Sequence, residues 1–502
     1  MELSPAGVVL RARQGAALQE ILFPHGVEFP CGGRGRCRGC RVRVLDGTVP
    51  PADEDRDRFS AAELAAGWRL ACRARVLGDL KIELAQWSGA ILGDDDELTA
   101  PQPQPGWGIA VDLGTTTVVA QLLDLENCRL LGVRAELNVQ ARHGADVMSR
   151  IEFAMSGGGQ RLLERLVREQ IGRMARELLA AAGEESGGRL RRVVVVGNTA
   201  MHHLFCGIPV APLATHPFEP ATLAGGCFPA AALGWEGMGD SVVHFLPCLG
   251  GFVGSDLLAG LLATRLAERS RPSALIDLGT NGEIIVGNQD RIWCASTAAG
   301  PAFEGARISC GMRAASGAVS RVTVAGSEVA CDVLGGGAPR GLCGSGLVDA
   351  VAAGLELNWI QPSGRLAAGG APITLAGPVQ LTQSDVRELQ LAKGAIAAGL
   401  RMLTERWGAA LGDLEAVYLA GAFGNYLDSR SARRIGLLDF PAEKVRAAGN
   451  TALRGAKMAL FIPGGPVDGA FAGVLTRTRH LSLNEDLSFQ ETFAEEMTFP
   501  RS

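Results

Sequence analysis

Aromatic residues are scarce, 5% of the 502 residues with only two tyrosines, so any core must be built from Leu, Val and Ala. A charge surplus is missing too: 48 Lys and Arg stand against 53 Asp and Glu, a net charge of −5, which gives no support for a nucleic-acid partner. No apolar run reaches the length that spans a bilayer. The opening Met1-Glu2-Leu3-Ser4-Pro5 has neither the basic n-region nor the apolar h-region of a secretory signal. The expectation is a cytoplasmic protein with no membrane and no nucleic-acid contact. What is plentiful is glycine, 67 residues, and apolar side chains, 47%. The length suits about three or four domains.

The cysteines fall into two groups. Eight of the twelve (Cys128, Cys206, Cys227, Cys248, Cys294, Cys310, Cys331, Cys343) are scattered singly, the pattern of small buried residues in a reducing compartment. The other four are Cys31, Cys37, Cys40 and Cys72, with the spacing C-x5-C-x2-C and 31 residues before the fourth. Gly32, Gly33, Gly35 and Gly39 let the loop wrap tightly and turn N–H groups toward sulfur. The spacing is one residue longer than the plant-type [2Fe–2S] pattern of C-x4-C-x2-C with a remote fourth cysteine. Zinc is the main rival, although its sites favour two close pairs and here the second pair is missing. Around this loop, Val8–Arg13, Val42–Val44 and Lys81–Leu84 read as strands and Ala17–Leu22 as a short helix. Arg34, Arg36, Arg38, Arg41 and Arg43 crowd the loop, either as a solvated face or as a dock for an acidic electron donor or acceptor.

Residues 93–107 read as a linker, an acidic run (Asp94 to Glu97) followed by alternating prolines (Pro101 to Pro105). Beyond it, one pattern occurs twice. Val111-Asp112-Leu113-Gly114-Thr115-Thr116-Thr117 and Ile276-Asp277-Leu278-Gly279-Thr280-Asn281-Gly282 are each an apolar run ending in Asp, then a Gly-Thr turn, then a second apolar run. Each reads as a β-hairpin. The turn offers N–H and hydroxyl donors to a phosphate, and the Asp can hold Mg²⁺ directly or through water. Two such hairpins face to face would grip a nucleotide's phosphate tail.

Other segments support a ligand cleft. Val193–Val196 reads as a buried parallel strand running into Gly197-Asn198-Thr199. Gly344, Ser345 and Gly346 open a helix whose amides suit an anion or ribose. Gly421, Ala422, Phe423, Gly424 and Asn425 follow a strand, where a flat ring could lie on backbone. Asp146 and Arg150 have the spacing of an i,i+4 helix pair. His202 and His203 sit on a helix with no partner ligand nearby in sequence.

The order hairpin, strand–loop, hairpin, Gly-rich helix start, strand–Gly–Gly resembles the actin-like (ASKHA) ATPase superfamily. That resemblance implies two RNase H-like halves closing on ATP, with Asp112 to Thr117 and Asp277 to Gly282 as phosphate loops and Gly421 to Asn425 as the adenosine motif. Arg69-Leu70-Ala71-Cys72 is similar to the segment around the fourth ligand of β-grasp ferredoxins. The combination resembles the reductive activators of corrinoid proteins. So do Asn138-Val139-Gln140, Gly144 to Arg150, Gly197 to Met201, Glu304-Gly305-Ala306, Gly341 to Gly346 and the tail Leu481 to Pro500. The best-known members are longer, with an extra small domain between linker and ATPase.

The expected fold class is therefore an α+β β-grasp ferredoxin domain (1–92), the linker (93–107), and an α/β unit of two RNase H-like halves (108–268 and 269–502). The resemblance implies ATP-dependent one-electron reduction of Co(II) to Co(I) in a corrinoid protein of a methyltransferase system. A low-potential electron donor would feed the cluster, and a homodimer is an allowed assembly. Asp112 and Asp277 would position Mg²⁺ and water, and Glu304 is a candidate general base. Thr115, Thr116, Thr280 and Asn281 would hold phosphates. Two other functions fit the same parts: a sugar-type kinase with a redox-sensing domain, and an ATP-switched interaction protein.

Overall fold

The computed structural model describes residues 1–4, 8–22, 27, 33, 35, 40–84, 103–184, 187–279, 281–305, 307–367, 369–424, 426–466 and 469–501. At the front, β1 (Glu2–Ser4), β2 (Val8–Val9), β3 (Arg41–Asp46), β4 (Trp68–Leu70) and β5 (Lys81–Leu84) form a sheet of order β2-β1-β5-β3-β4. A short helix, Leu18–Leu22, covers it with buried leucines at both ends. The strand expected over Val8–Arg13 is shorter: its antiparallel pairing with β1 reaches only to Leu10, which exchanges both backbone hydrogen bonds with Met1, 2.8 and 3.0 Å. Leu3, Val42, Leu70, Ile82 and Leu84 make the sheet's core, in which Phe59 is also buried.

The first lobe holds β6 (Trp107–Leu113), β7 (Thr117–Asp124), β8 (Leu130–Leu137), β9 (Leu190–Val196), β10 (Gly226–Pro229) and β11 (Val242–Phe245). Its order is β10-β11-β9-β6-β7-β8. The expected hairpin is β6–β7, in register from Trp107↔Asp124 to Leu113↔Val118, and β8 extends it. β9 runs parallel to both β6 and β11, which explains its unbroken apolar run. Helix α1 (Val147–Ala154) and the long α2 (Gly159–Ala181) cover the sheet. Along α2, Leu163, Val167, Ile171, Met174 and Leu178 form one buried stripe at helical spacing. Helix α3 (Thr199–Cys206) follows β9 and buries both His202 and His203 as core residues.

The second lobe repeats the plan. Its strands are β12 (Ser273–Leu278), β13 (Gly282–Gly287), β14 (Ile292–Thr297) and, later in the chain, three more. Between them come the small strands β15 (Ala318–Ala325), β16 (Glu328–Val333), β17 (Gly341–Leu342), β18 (Ile373–Ala376) and β19 (Val379–Leu381). The main sheet is completed by β20 (Val417–Ala420), β21 (Val445–Gly449) and β22 (Thr478–His480), in the order β21-β20-β12-β13-β14-β22. In both lobes an Asp-ending strand sits between an antiparallel pair on one side and two parallel strands on the other. These are the two RNase H-like halves expected from the repeated heptad.

Helix α4 (Ser255–Thr264) and a late helix, Thr451–Ala459, lie between the two sheets. Their core joins Val194 and Val196 of the first lobe to Leu275, Ile285 and Tyr418 of the second. The late helix also packs on β6 and β9, so the second half of the chain returns to the first lobe. Gly455 makes this crossing close: a Cβ there would lie 2.0 Å from the Ala259 carbonyl oxygen. Among the described residues no helix is long and apolar enough to cross a membrane.

Candidate functional site: a cluster loop and an acidic nucleotide cleft

The third and fourth cysteines of the front domain meet at one end of a ladder. Arg41 pairs with Leu70 across β3 and β4, and the Ala71 N–H donates to the Cys40 carbonyl at 3.0 Å. Cys40 just before β3 and Cys72 just after β4 are thereby placed side by side in the fold. Cys31 and Cys37 lie outside the described residues. Gly33 and Gly35 both adopt positive φ, +73° and +70°, the left-handed backbone that a tight loop requires. Two cysteines from separate segments, with left-handed glycines at 33 and 35 just ahead of the first of them in the chain, fit an iron–sulfur cluster.

The cleft is built from strand ends. Asp112 and Asp277 occupy equivalent places near the ends of β6 and β12. The first turn closes with Gly114 N–H on the Thr117 carbonyl, 3.0 Å, and the second with Gly279 N–H on the Asn281 carbonyl, 3.1 Å. Thr280 lies outside the described residues. The first loop is tied down on several sides. Asn138 donates to the Gly114 carbonyl (2.9 Å), Asn198 donates to Thr115 Oγ1 (2.8 Å), and the Thr116 carbonyl accepts the Asn138 N–H (2.8 Å). Thr117 opens β7 opposite Leu137.

Arg150 supplies a further tie, and it corrects an expectation. It does not serve as the i,i+4 partner of Asp146. Asp146 instead caps α1, accepting the Ser149 N–H at 2.8 Å in an Asp-x-x-Ser capping box. Arg150 is fully buried, and its guanidinium donates to the Gly144 carbonyl (2.8 Å), to Gln140 Oε1 (3.3 Å) and to the Thr115 carbonyl. A rigid multi-donor fork suits a loop full of carbonyls.

Two acids that sequence reading passed over join the pair. Asp256 lies in the first turn of α4, whose start is held to the first lobe by Ser255 N–H on the Gly197 carbonyl, 2.9 Å. Glu283 sits on β13 directly opposite Asp277. Asp112, Asp256 and Asp277 remain partly reachable from the cleft, and Glu283 is buried. Surrounding protein strips water from all four. Burial pushes Asp112 up to about 6, against the opposing pull of the Asn450 hydrogen bond. Burial, then the charge of Asp112, pushes Asp277 up to about 6. Burial, then the charge of Asp277, pushes Asp256 up to about 8. Glu283 is raised well above the usual range by burial and by Asp256 and Asp277. So much desolvated like charge is what a bound cation would relieve. Among the described residues no three His, Cys, Asp or Glu side chains converge on one point as direct ligands.

The glycine loops of the second lobe also come together. A Cβ on Gly421 would lie 3.0 Å from Asp277 Oδ1, and one on Gly344 would lie 1.9 Å from the Phe303 carbonyl oxygen. The Phe303 and Phe423 rings meet with centroids 4.8 Å apart. The segment Pro301–Glu304, the start of helix α5 (Gly344–Glu356) and the Gly421–Gly424 turn thus line one side of the cleft. Glu304 ends the first of these. The Ser345 hydroxyl is committed to the Ser320 carbonyl at 2.9 Å, and Gly344, Ser345 and Gly346 are all buried. Asn425 and the side chain of Ala422 lie outside the described residues.

Residues 1–77 match a 2Fe-2S iron–sulfur cluster binding domain, 107–269 the RACo middle region, and 271–502 the C-terminal ASKHA domain of RACo. The corrinoid activation enzyme RamQ of Eubacterium limosum is 36% identical over 428 residues, covering 78% of this chain and 70% of the relative. The [Co(II) methylated amine-specific corrinoid protein] reductase of Methanosarcina barkeri is 30% identical over 378 residues, covering 69% of this chain and 68% of that one. A solved reductive activator for corrinoid, iron–sulfur protein superposes with a TM-score of 0.69 at 28% identity, covering 100% of this chain and 98% of its own. Likeness of this extent, carried through all three parts in the same order, means that the chain belongs to the RACo family of reductive activators.

Proposed function

We propose that the chain spends ATP to return a corrinoid protein from Co(II) to Co(I), one electron at a time. One observation carries this reading: a cluster-binding loop and an acid-lined nucleotide cleft sit in one chain that is 36% identical to a corrinoid activation enzyme. Cys31, Cys37, Cys40 and Cys72 would hold a [2Fe–2S] cluster, which supplies single-electron transfer when bound. Its electrons would come from a low-potential donor.

In the cleft, Asp112, Asp256, Asp277 and Glu283 would hold Mg²⁺ through water. Thr115, Thr116, Thr280 and Asn281, with the turn amides, would hold the phosphates. Gly421 to Asn425 and Gly344 to Gly346 would hold the nucleoside side. Asp256 is a better candidate base than Glu304, since it belongs to the acid group. Burial and the charge of Asp277 push its carboxyl up to about 8, and in its ionised form Asp256 would accept a proton from water. ATP does its work through differential affinity for two arrangements of the lobes.

The division at 92, 107 and 268, a cytoplasmic location and a homodimer belong to the same proposal. The test is anaerobic: protein, a Co(II) corrinoid protein and a low-potential reductant, with and without ATP. Growth of Co(I) absorbance only with ATP is the expected result. No Co(I) with any corrinoid partner would remove the reading, and phosphorylation of a sugar would favour the kinase alternative.

A further inference from the structure

The ferredoxin domain touches both lobes, and each contact lands next to a nucleotide loop. On the first lobe, Leu137 and Ala141 pack into the ferredoxin core, with Ala141 only 3% exposed. Asn138 lies between them and is bonded to Gly114 and Thr116 of the first phosphate loop. On the second lobe, Arg340 Nη2 meets Glu83 Oε1 of β5 at 2.7 Å and the Leu84 carbonyl at 3.4 Å. Both partners of the Arg340–Glu83 pair are roughly three-quarters shielded, with side-chain exposures of 28% and 26%. Arg41, the residue after Cys40, donates to the Gly311 carbonyl at 3.2 Å. The Gly311 segment is laced to β17: Leu342 N–H to the Cys310 carbonyl (2.8 Å) and Met312 N–H to the Leu342 carbonyl (3.0 Å). β17 leads through Cys343 directly into the glycine start of α5.

We propose that the ferredoxin domain is a strap across the two lobes, latched by Glu83–Arg340 and Arg41–Gly311, and that nucleotide binding loosens it. A single rigid domain can satisfy contacts on both lobes at only one angle between them. A ligand that favours another angle must strain one contact, and linkage makes the effect mutual: releasing the strap must tighten nucleotide binding by the same factor. Loosening also uncovers the Arg41 edge beside Cys40, the edge now turned to the second lobe. The inference rests on the nucleotide reading of the cleft.

The test uses the full, cluster-loaded chain and a non-hydrolysable ATP analogue. Calorimetry should show analogue affinity rising about five-fold or more in Arg340→Glu and in Glu83→Arg, with most of the change reversed in the double charge swap. In Arg340→Lys, a carbodiimide can join the new amine to the Glu83 carboxyl, and the analogue should lower the yield of that link. Single-variant affinities within two-fold of the parent, a yield indifferent to the analogue, or a yield that rises would each overturn the strap. A parent chain that binds no analogue would instead overturn the nucleotide reading, and the strap with it.

Discussion

Asn450 donates its side-chain amide to Asp112 Oδ2 at 2.9 Å, across 338 positions of sequence. Its Oδ1 accepts the Leu453 N–H at 2.8 Å, so the same side chain caps the late helix Thr451–Ala459. One amide therefore fixes the start of a helix and steadies the acid of the first phosphate loop. It is also the group that holds Asp112 down against burial.

Asn450→Ser separates the two roles. Serine still caps, so thermal stability should stay within a few degrees. The lost bond to a carboxylate is worth about 1.5–3 kcal/mol, so ATP hydrolysis should fall roughly ten- to a hundred-fold. Asp112 would then titrate higher, and the acid limb of the pH–rate profile should move up in pH. An unchanged profile would detach Asn450 from the chemistry.

Asp256→Asn should abolish ATP hydrolysis while stabilising the cation-free fold at alkaline pH. The native carboxyl titrates at about 8 against an ordinary 3.8. The folded chain therefore keeps a proton that the unfolded chain has released, and stability falls as pH rises between those values. Asparagine does not titrate. In chelator, the melting temperature of the variant should pull ahead of the parent as pH climbs, with the gap levelling off above pH ~8. A gap that shrinks with pH would contradict this account of the acid group.

Arg150→Lys is not conservative here, because one ammonium cannot serve the Gly144, Gln140 and Thr115 oxygens together. The expected loss is about 3 kcal/mol of stability by denaturant titration, with a raised KM for ATP as the first phosphate loop loosens.

Cys72→Ser separates electron transfer from sensing. The visible absorbance of the cluster and all Co(I) formation should disappear, while ATP hydrolysis persists within a few-fold. Retained Co(I) formation would favour an interaction protein that uses the cluster only as a sensor.

Much of this was legible in the residues themselves. The repeated Asp–Gly–Thr heptad announced both lobes, because a strand, a turn and an acid at the strand end are all local features. Val193–Val196 announced a parallel strand by having no polar interruption. Asp256 left no such trace: it follows Gly254-Ser255 at the start of an apolar helix, and only the packing of α4 between the sheets carries it into the cleft. Glu283 did leave one, a lone carboxylate beginning the apolar run Ile284–Val286, since a charge on a strand buried on both faces needs a reason. The Asp146–Arg150 spacing was misread because two local patterns overlap there, and the capping box won. Asn450 could not be found by proximity in sequence at all.

The late helix beside Ala259 has a practical consequence. Since the closing stretch of the polypeptide is a structural member of the opening lobe, cutting the gene between the halves would not yield two autonomous folding units. The front half expressed alone would expose an oily trough where Leu453 and Ala456 belong. A ribosome making this protein must finish nearly the whole chain before either half of the clamp is complete.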